Sequence, residues 1–334
     1  MRIDTAGFPE RSERMSDYHV AVFGGGSVGL CLATSFVAAG ARVSLLVRQN
    51  AIEALRKTPI TVSGLLGDHA ALPEMITLCD AADPSDEVLK SDMLILTTKA
   101  YDVEAALKPF AAAGTCPPVL LLQNGMGSEE IARRVLGPDT PVYSSAMMIG
   151  MERHGPASME VTAQSSPILC GPLLGDDIGP IRNLLDIAEG GFVPMVLDDA
   201  IRETISFKLL FNSCMNPTGA ITKKSYGELL QNSHSRDVII GLADETLAAF
   251  AAGYDYRPAD NGKHYVDEVL SPIIFPRAVS HHSSMFQDLQ SGRKTEIDFL
   301  NGAICRLSRS VGLKATRHEN IMQLIKACEP DSKL

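Results

Sequence analysis

The sequence predicts a two-domain α/β protein in which a domain built on a largely parallel sheet precedes an all-helical domain. The chain has 334 residues, more than one hydrophobic core usually supports. Up to about residue 198, short runs rich in Val, Ile and Leu alternate with helix-like or loop-like segments, the pattern of buried parallel strands. After residue 199 apolar residues recur at helical spacing. We therefore expect a first domain at residues 18–198 and a second at 199–330.

The segment before the first domain is predicted to be a disordered leader. Residues 1–17 are polar and charged and show no hydrophobic period. The sequence leaves open whether translation starts at Met1 or at Met15.

From His19 the elements follow in the order strand, glycine turn, helix and strand. The corresponding segments are HVAVF, GGGSVG, LCLATSFVAAG and ARVSLLV, with Gly40 where a helix C-terminus is commonly capped. Together they form one βαβ unit of the usual length. Further strand-like runs follow at 93–97, 119–122 and 142–146, and we expect residues 151–197 to add strands that complete or extend the same sheet.

Three long segments predict the helical domain. Apolar residues recur at helical spacing in IRETISFKLLFNSCMN, in RDVIIGLADETLAAFAA and in TEIDFLNGAICRLSRSVGL. Pro217 follows the first of these, so we expect that helix to end near Asn216.

Composition excludes several classes of partner and site. The formal net charge is −10, and no cluster of Lys or Arg offers a basic face for nucleic acid or an anionic membrane. The uncharged stretch 20–41 resembles a membrane span, but its glycines divide it into a strand and a helix.

The seven cysteines are scattered, without metal-ligand spacing, which predicts buried thiols, no metal site and a cytoplasmic protein.

The glycine turn matches the dinucleotide-binding pattern G-x-G-x-x-G. The first glycine makes the tight turn, the second lets the backbone approach a pyrophosphate, and the third lets helix and strand pack closely. A purely structural glycine turn is the alternative, but the preceding strand and following helix favour a Rossmann-type cofactor site. The predicted residues of this site are Gly24, Gly25, Gly26, Ser27, Val28 and Gly29.

The end of the second strand indicates which dinucleotide binds. An NAD site usually has an acidic residue there, but the sequence over 45–50 is LLVRQN, with no carboxylate. Arg48 offers a permanently charged, planar fork suited to a ribose 2′-phosphate. We therefore expect NADPH rather than NADH, the alternative being that Arg48 is an exposed charge at a strand end.

Two clusters in the helical domain are candidates for the chemistry. Lys208, Asn212 and Asn216 stand at i, i+4 and i+8, so their side chains share one helix face. Spacing alone favours a solvated helix face over a substrate site. Thr295 and Glu296 have the chemistry of an ordinary helix start, with an N-cap residue followed by acids.

Four segments resemble signatures of a known family. TTKAYD, LLLQNGMG, KLLFNSCMNPTGAI and SSMFQDLQSGRKTEIDFLNG are similar to segments of the ketopantoate reductase family, and the resemblance extends from about residue 19 to 313. It implies a helical domain similar to the C-terminal domain of 6-phosphogluconate dehydrogenase. It also implies NADPH-dependent reduction of 2-dehydropantoate (ketopantoate) to pantoate, for pantothenate and coenzyme A biosynthesis.

The resemblance also assigns roles to residues. It implies that Lys208 is the general acid and that Glu296 assists it. It places substrate contacts on Asn212, Asn216, Ser284 and Asn124, and cofactor contacts on Lys99, Asn124 and Glu296.

One position departs from the family pattern, so that a substrate other than ketopantoate stays an alternative. Tyr226 stands where the family often has asparagine. The alternatives are a reductase of a different branched or aromatic 2-keto acid, or a non-catalytic NADP(H) sensor. The expected partner is the small-molecule substrate, with a homodimer as an open expectation.

Overall fold

An eight-stranded sheet supports the first part of the chain. In this computed structural model, residues 17–330 are described, so residues 1–16 of the predicted leader lie outside the described residues. The strand order is β12-β11-β8-β7-β6-β1-β2-β5, and all neighbours pair in parallel except β11 with β8. The strands are β1 (His19–Phe23), β2 (Arg42–Val47), β3 (Ile60–Gly64), β4 (His69–Ala71), β5 (Ile76–Asp80), β6 (Met93–Leu96), β7 (Val119–Leu121), β8 (Val142–Ala146), β9 (Ile149–Arg153), β10 (Ser158–Gln164), β11 (Ile168–Pro172) and β12 (Met195–Leu197).

Helices accompany this sheet and then make up the rest of the chain. They are α1 (Ser27–Ala38), α2 (Gln49–Leu55), α3 (Asp86–Leu89), α4 (Val103–Ala113), α5 (Ser128–Leu136), α6 (Gly179–Ala188), α7 (Ile201–Thr222), α8 (Tyr226–Gln231), α9 (Ser233–Tyr254), α10 (Gly262–His264), a π-helical segment (Tyr265–Leu270), α11 (Ser271–Arg277), α12 (Ser284–Gln290), α13 (Asn301–Ser310) and α14 (Thr316–Cys328). Short 3₁₀ turns lie at Pro73–Met75 and Ala100–Asp102. The predicted class, a parallel-sheet domain followed by a helical domain, is confirmed.

The sheet is buried on both faces. Along β1, Val20 and Val22 belong to one hydrophobic cluster, whereas Ala21 and Phe23 belong to another. The first cluster includes residues of α1 and α6, and the second includes residues of α4. Because successive strand residues point to opposite faces, helices covering both faces explain the unbroken apolar runs of the sequence.

A second, four-stranded sheet was not predicted. Its order is β4-β3-β10-β9, with β3 and β10 parallel and the other pairs antiparallel. The prediction that residues 151–197 extend the main sheet is therefore right for β11 and β12 and wrong for β9 and β10. The pairing of β3 with β10 joins segments almost 100 residues apart, which local sequence patterns do not reveal.

The first helix of the second domain continues past the predicted end. Pro217 lies inside α7, which ends at Thr222. A proline has no N–H to donate to the carbonyl four residues back, here that of Ser213. Asn301 Nδ2 donates to this carbonyl instead, at 2.9 Å. The helix therefore tolerates the proline because a side chain supplies the missing donor.

The cysteines only partly follow the prediction of buried thiols. None of the seven forms a disulfide, and Cys31, Cys170, Cys214 and Cys305 are buried. Cys328 at the end of α14 is exposed, so the prediction is wrong for this residue.

The chain folds into two compact units. Unit 1 contains the described residues up to Thr98 together with Asp102–Gln123 and Glu129–Ile201. Unit 2 contains Lys99–Tyr101, Asn124–Ser128 and the chain from Arg202 onward. Among residues 17–330, no helix combines the length and the apolar character needed to cross a membrane.

Candidate functional site

The glycine turn of unit 1 joins β1 to α1 at the predicted cofactor site. Gly24 has a φ of +122°, and its N–H donates to the Leu46 carbonyl at 2.9 Å. A Cβ on Gly29 would lie 2.0 Å from the Gly24 carbonyl oxygen, so helix and turn approach as closely as they do only because residue 29 is glycine. A Cβ on Gly26 would meet nothing within 4 Å.

The start of α1 suits a phosphate. Ser27 and Val28 form its first turn, which carries no acidic side chain. Backbone N–H groups and the helix dipole favour an anion at such an end, and the open space at Gly26 lets a ligand approach. These residues therefore fit the pyrophosphate of a dinucleotide.

Arg48 lies immediately after β2, where the ribose of a dinucleotide is usually recognised. It is exposed and precedes α2. A Cβ on Gly25 would be 2.9 Å from Val47 Cγ1, so the end of β2 lies directly against the glycine turn. Arg48 therefore directly follows a residue that lies against the predicted phosphate site.

Three polar side chains lie along α7, as the spacing predicts. Asn212 and Asn216 are buried, with 9% and 4% exposure, and Lys208 is half-buried. Burial lowers the pKa of Lys208 to about 8, and the nearby Glu296 carboxylate opposes this by favouring the ammonium form. A solvated face is therefore excluded for the two asparagines.

Glu296 is buried among donors. Its Oε1 accepts from the Ala100 backbone N–H at 3.0 Å, and its Oε2 accepts from Asn124 Nδ2 at 3.2 Å. Lys99 Nζ lies 3.7 Å from Oε2. Lys99 and Asn124 follow β6 and β7, and they belong to unit 2 together with Glu296. The carboxylate is therefore fixed by two hydrogen bonds and one ion pair.

The predicted helix start at Thr295 is wrong. Glu296 begins a turn, and α13 starts only at Asn301. Thr295 donates its hydroxyl to Glu329 Oε1 at 2.5 Å, and its backbone N–H donates to the same oxygen at 2.8 Å. These contacts to the end of the chain replace the expected helical cap.

Sequence reasoning missed Asp288. It is buried in α12 and accepts from Lys99 Nζ at 2.6 Å and from Arg293 Nε at 3.0 Å. Lys99 thus lies between two carboxylates, those of Asp288 and Glu296. An acid within a short helix is ordinarily a surface residue, so only the burial reveals this pairing.

Asn216 has fixed partners on both its side chain and its backbone. The Tyr226 hydroxyl donates to Asn216 Oδ1 at 3.1 Å, and Ser283 Oγ donates to the Asn216 carbonyl at 3.2 Å. Ser283 also caps α12 by accepting from the Phe286 N–H. The predicted substrate residue Ser284 is the exposed first residue of that helix.

Tyr226, the partner of Asn216, is itself surrounded by ring side chains. Tyr226 is buried, its ring makes an edge-to-face contact with Phe211 at 5.4 Å, and it lies 5.3 Å from the ring of His281. Burial lowers the pKa of His281, so its imidazole is neutral near pH 7. The ring of Tyr226 is therefore contacted by one aromatic side chain and one neutral imidazole.

Comparison with known proteins identifies the family. The family model described as "Ketopantoate reductase PanE/ApbA" matches residues 20–175, and the model of its C-terminal part matches residues 200–329. A 2-dehydropantoate 2-reductase of Aquifex aeolicus is 26% identical over 313 residues, which cover 92% of this chain and 96% of the relative.

Solved structures agree on the fold. A ketopantoate reductase from Ralstonia eutropha superposes with a TM-score of 0.80 at 23% identity, covering 93% of this chain and 98% of that one. D-mandelate dehydrogenase, in a ternary structure with NADH and anilino(oxo)acetate, also gives 0.80, at 21% identity and the same coverage. With both family models matched in order over nearly the whole length, the chain belongs to the ketopantoate reductase family.

Proposed function

We propose that the protein is an NADPH-dependent reductase that converts 2-dehydropantoate to pantoate, with Lys208 as the general acid. The observation that supports this most strongly is the combination of a half-buried lysine, a pKa of about 8 and a nearby buried carboxylate, Glu296. Perturbed ionisable groups of this kind concentrate at active sites. Membership of the family and curated relatives of the same activity add to it.

The proposed chemistry places a proton where negative charge develops. A reduced nicotinamide would supply a hydride to the keto carbon. The carbonyl oxygen then gains charge, and Lys208 Nζ donates a proton to it, which yields the 2-hydroxy acid and a neutral amine that solvent reprotonates. General acid catalysis of this kind is worth about 10² to 10⁴ in rate.

The remaining residues would hold the reactants. In this proposal Asn212, Asn216 and Ser284 contact the substrate without adding charge. Lys99 and Asn124 contact the cofactor, and Asn124 also faces the substrate. Because Glu296 accepts from Asn124 Nδ2, that amide presents its Oδ1 and one remaining N–H.

The cofactor is proposed to be NADPH. The support is Arg48, together with the lack of a carboxylate in residues 45–50. NADH is the competing dinucleotide, because the D-mandelate dehydrogenase of similar fold was solved with it.

A different 2-keto acid is the second candidate substrate, and Tyr226 favours it. The hydroxyl of Tyr226 donates to Asn216 Oδ1, which fixes the orientation of this amide and takes one of the two lone pairs of its oxygen. The aromatic rings of Phe211 and His281 nearby would suit an apolar or aromatic substrate side chain. D-mandelate dehydrogenase, which has a similar fold, was solved with an aromatic ligand, anilino(oxo)acetate, and this supports the second candidate.

Substrate choice is tested by following NADPH oxidation at the nicotinamide absorbance. Ketopantoate is compared with pyruvate, 2-ketoisovalerate and benzoylformate, each with NADPH and with NADH. A kcat/KM highest for ketopantoate supports the first candidate, and one highest for benzoylformate supports the second. Turnover of none of them, with NADPH still bound, would contradict both and favour the non-catalytic sensor.

A further inference from the structure

A second arginine lies at the glycine turn. Arg153, the last residue of β9, donates from Nη1 to the Gly25 carbonyl oxygen at 3.1 Å. Its Nε donates to the Gly155 carbonyl at 2.8 Å, and its Nη2 donates to the carbonyl of Pro156. The guanidinium is therefore tied both to its own loop and to the turn that starts the cofactor site.

The second sheet brings this residue to its place. β9 and β10 form an antiparallel hairpin, and strands of this sheet pack against α1. The His154 N–H donates to the Ser158 carbonyl at 3.0 Å, which closes the loop around Gly155 and Pro156. Since Gly25 and Arg153 are 128 residues apart, no local pattern in the sequence indicates this contact.

Arg153 has a positive charge without an ion-pair partner among residues 17–330, and N–H donors that its carbonyl contacts do not use. A guanidinium has five N–H donors, and the three carbonyl bonds leave two of them for another acceptor. No carboxylate of residues 17–330 forms an ion pair with Arg153, and Glu160 of the same hairpin pairs with His154. The side chain is exposed, so a ligand can reach it.

The position of Arg153 in the fold indicates which phosphate group of a cofactor its guanidinium would contact. Gly25 lies against Val47, the last residue of β2, and Arg48 follows directly. In a dinucleotide-binding sheet the end of this strand faces the adenosine ribose, whose 2′ substituent distinguishes NADPH from NADH. The ends of β2 and β9, each with an arginine, thus lie near this position, and Arg153 is already oriented by its carbonyl contacts, which lowers the entropy cost of binding.

We propose that Arg153 is a further cofactor-binding residue, which joins Arg48 in holding the ribose 2′-phosphate of NADPH. This inference rests on the proposed dinucleotide site and adds a specificity-determining residue to it. Arginine binds phosphate through paired N–H donors, and a second cation strengthens the preference over the uncharged 2′-hydroxyl of NADH.

The test measures dissociation constants of NADPH and NADH by nicotinamide fluorescence, for the wild type, Arg153→Gln and Arg153→Lys. Competition by adenosine 2′,5′-bisphosphate and by 5′-AMP isolates the 2′-phosphate from the rest of the cofactor. Arg182→Gln is the matched control, because Arg182 is an exposed arginine of the same unit on α6. Thermal melting of each apo variant establishes that it is folded.

We expect Arg153→Gln to raise the dissociation constants of NADPH and adenosine 2′,5′-bisphosphate about tenfold, the loss typical of one charge-assisted bond. The dissociation constants of NADH and 5′-AMP should change less than twofold. Arg153→Lys, which keeps the charge, should recover part of this loss, and its result decides the matter if Arg153→Gln does not fold. Equal weakening of NADH and NADPH, or no weakening of either, would overturn the inference while leaving the proposed function in place. Failure of the wild type to bind either dinucleotide would instead overturn the proposed function, and this inference with it.

Discussion

At the scale of single residues, two opposite effects determine the pKa of Lys208. Burial lowers its pKa from 10.5 to about 8, and the Glu296 carboxylate limits that decrease. With a pKa above 7, the ammonium is therefore still the main form of Lys208 at pH 7. A lysine with a pKa this close to neutrality donates its proton more readily than a solvent-exposed lysine.

The first prediction concerns pH. Because Lys208 must be protonated to act as the acid, kcat/KM for keto acid reduction should decrease as the pH rises through about 8. In Glu296→Gln the carboxylate no longer stabilises the ammonium, so this decrease should begin at lower pH. The measurement is the pH profile of kcat/KM for both proteins.

The control for this prediction is Asp298→Asn. Asp298 lies two residues from Glu296 and pairs with Lys326 at 2.6 Å, so the substitution removes the same charge without touching the buried carboxylate. Its profile should match that of the wild type. A Glu296→Gln profile that also matches the wild type would contradict the proposed coupling to Lys208.

The second prediction concerns Tyr226. Tyr226→Phe removes the hydroxyl that fixes the Asn216 amide and leaves a buried acceptor without its donor. We expect KM for the preferred keto acid to rise about tenfold with a smaller change in kcat. Tyr143→Phe is the control, since it removes a hydroxyl that donates to the Asp177 carbonyl in unit 1. A rise of KM in both variants, or in neither, would contradict a positioning role for Tyr226.

At the scale of elements, α7 shows how a distant side chain permits a proline inside a helix. Asn301 Nδ2 donates to the Ser213 carbonyl and also lies 3.0 Å from His318 Nδ1. Burial lowers the pKa of His318 to about 4, so its ring is neutral and Nδ1 can accept from that amide. Asn301 thus connects α13 to both α7 and α14.

The third prediction follows from this contact. Asn301→Leu should lower the free energy of unfolding by about 2 kcal/mol, because it leaves the buried Ser213 carbonyl without a donor. Pro217→Ala restores a backbone N–H to that carbonyl, so the cost of Asn301→Leu should be smaller in the Pro217→Ala background. Urea unfolding of the four proteins measures this, and equal costs in both backgrounds would show that the carbonyl is not the cause.

The fourth prediction compares two glycines of the turn. Gly29→Ala would place a Cβ 2.0 Å from the Gly24 carbonyl oxygen, so we expect a marked decrease in Tm. Gly26→Ala meets nothing within 4 Å and should leave Tm within a few degrees, but its methyl group occupies the open space where a phosphate would lie. Its affinity for NADPH should therefore fall. Unchanged NADPH affinity in Gly26→Ala would argue against a phosphate at this position.

At the scale of the whole molecule, the sequence predicts what depends on local pattern. The βαβ unit, the apolar runs of the parallel strands and the Lys208–Asn212–Asn216 row all depend on neighbouring residues. The second sheet, the long α7 and the buried Asp288 depend on partners far along the chain, and the sequence does not predict them. The cytoplasmic location and a homodimer stay predictions.

The same distinction applies to the candidate site. The glycine turn and Arg48 are recognisable from sequence because their chemistry lies within one βαβ unit. For Glu296 the local sequence predicted a helix start, because its donors come from Ala100 and Asn124, about 200 and 170 residues earlier. Only the resemblance to the family indicated a role for this residue.

The most direct test of the proposed activity is the NADPH-dependent reduction of ketopantoate by the wild type, by Lys208→Met and by Lys314→Met. Methionine keeps the length of the side chain without the proton, and Lys314 is an exposed lysine of the same unit. Loss of at least 10²-fold in kcat for Lys208→Met alone, with NADPH affinity unchanged, is the predicted result. Undiminished kcat in Lys208→Met would show that another group donates the proton.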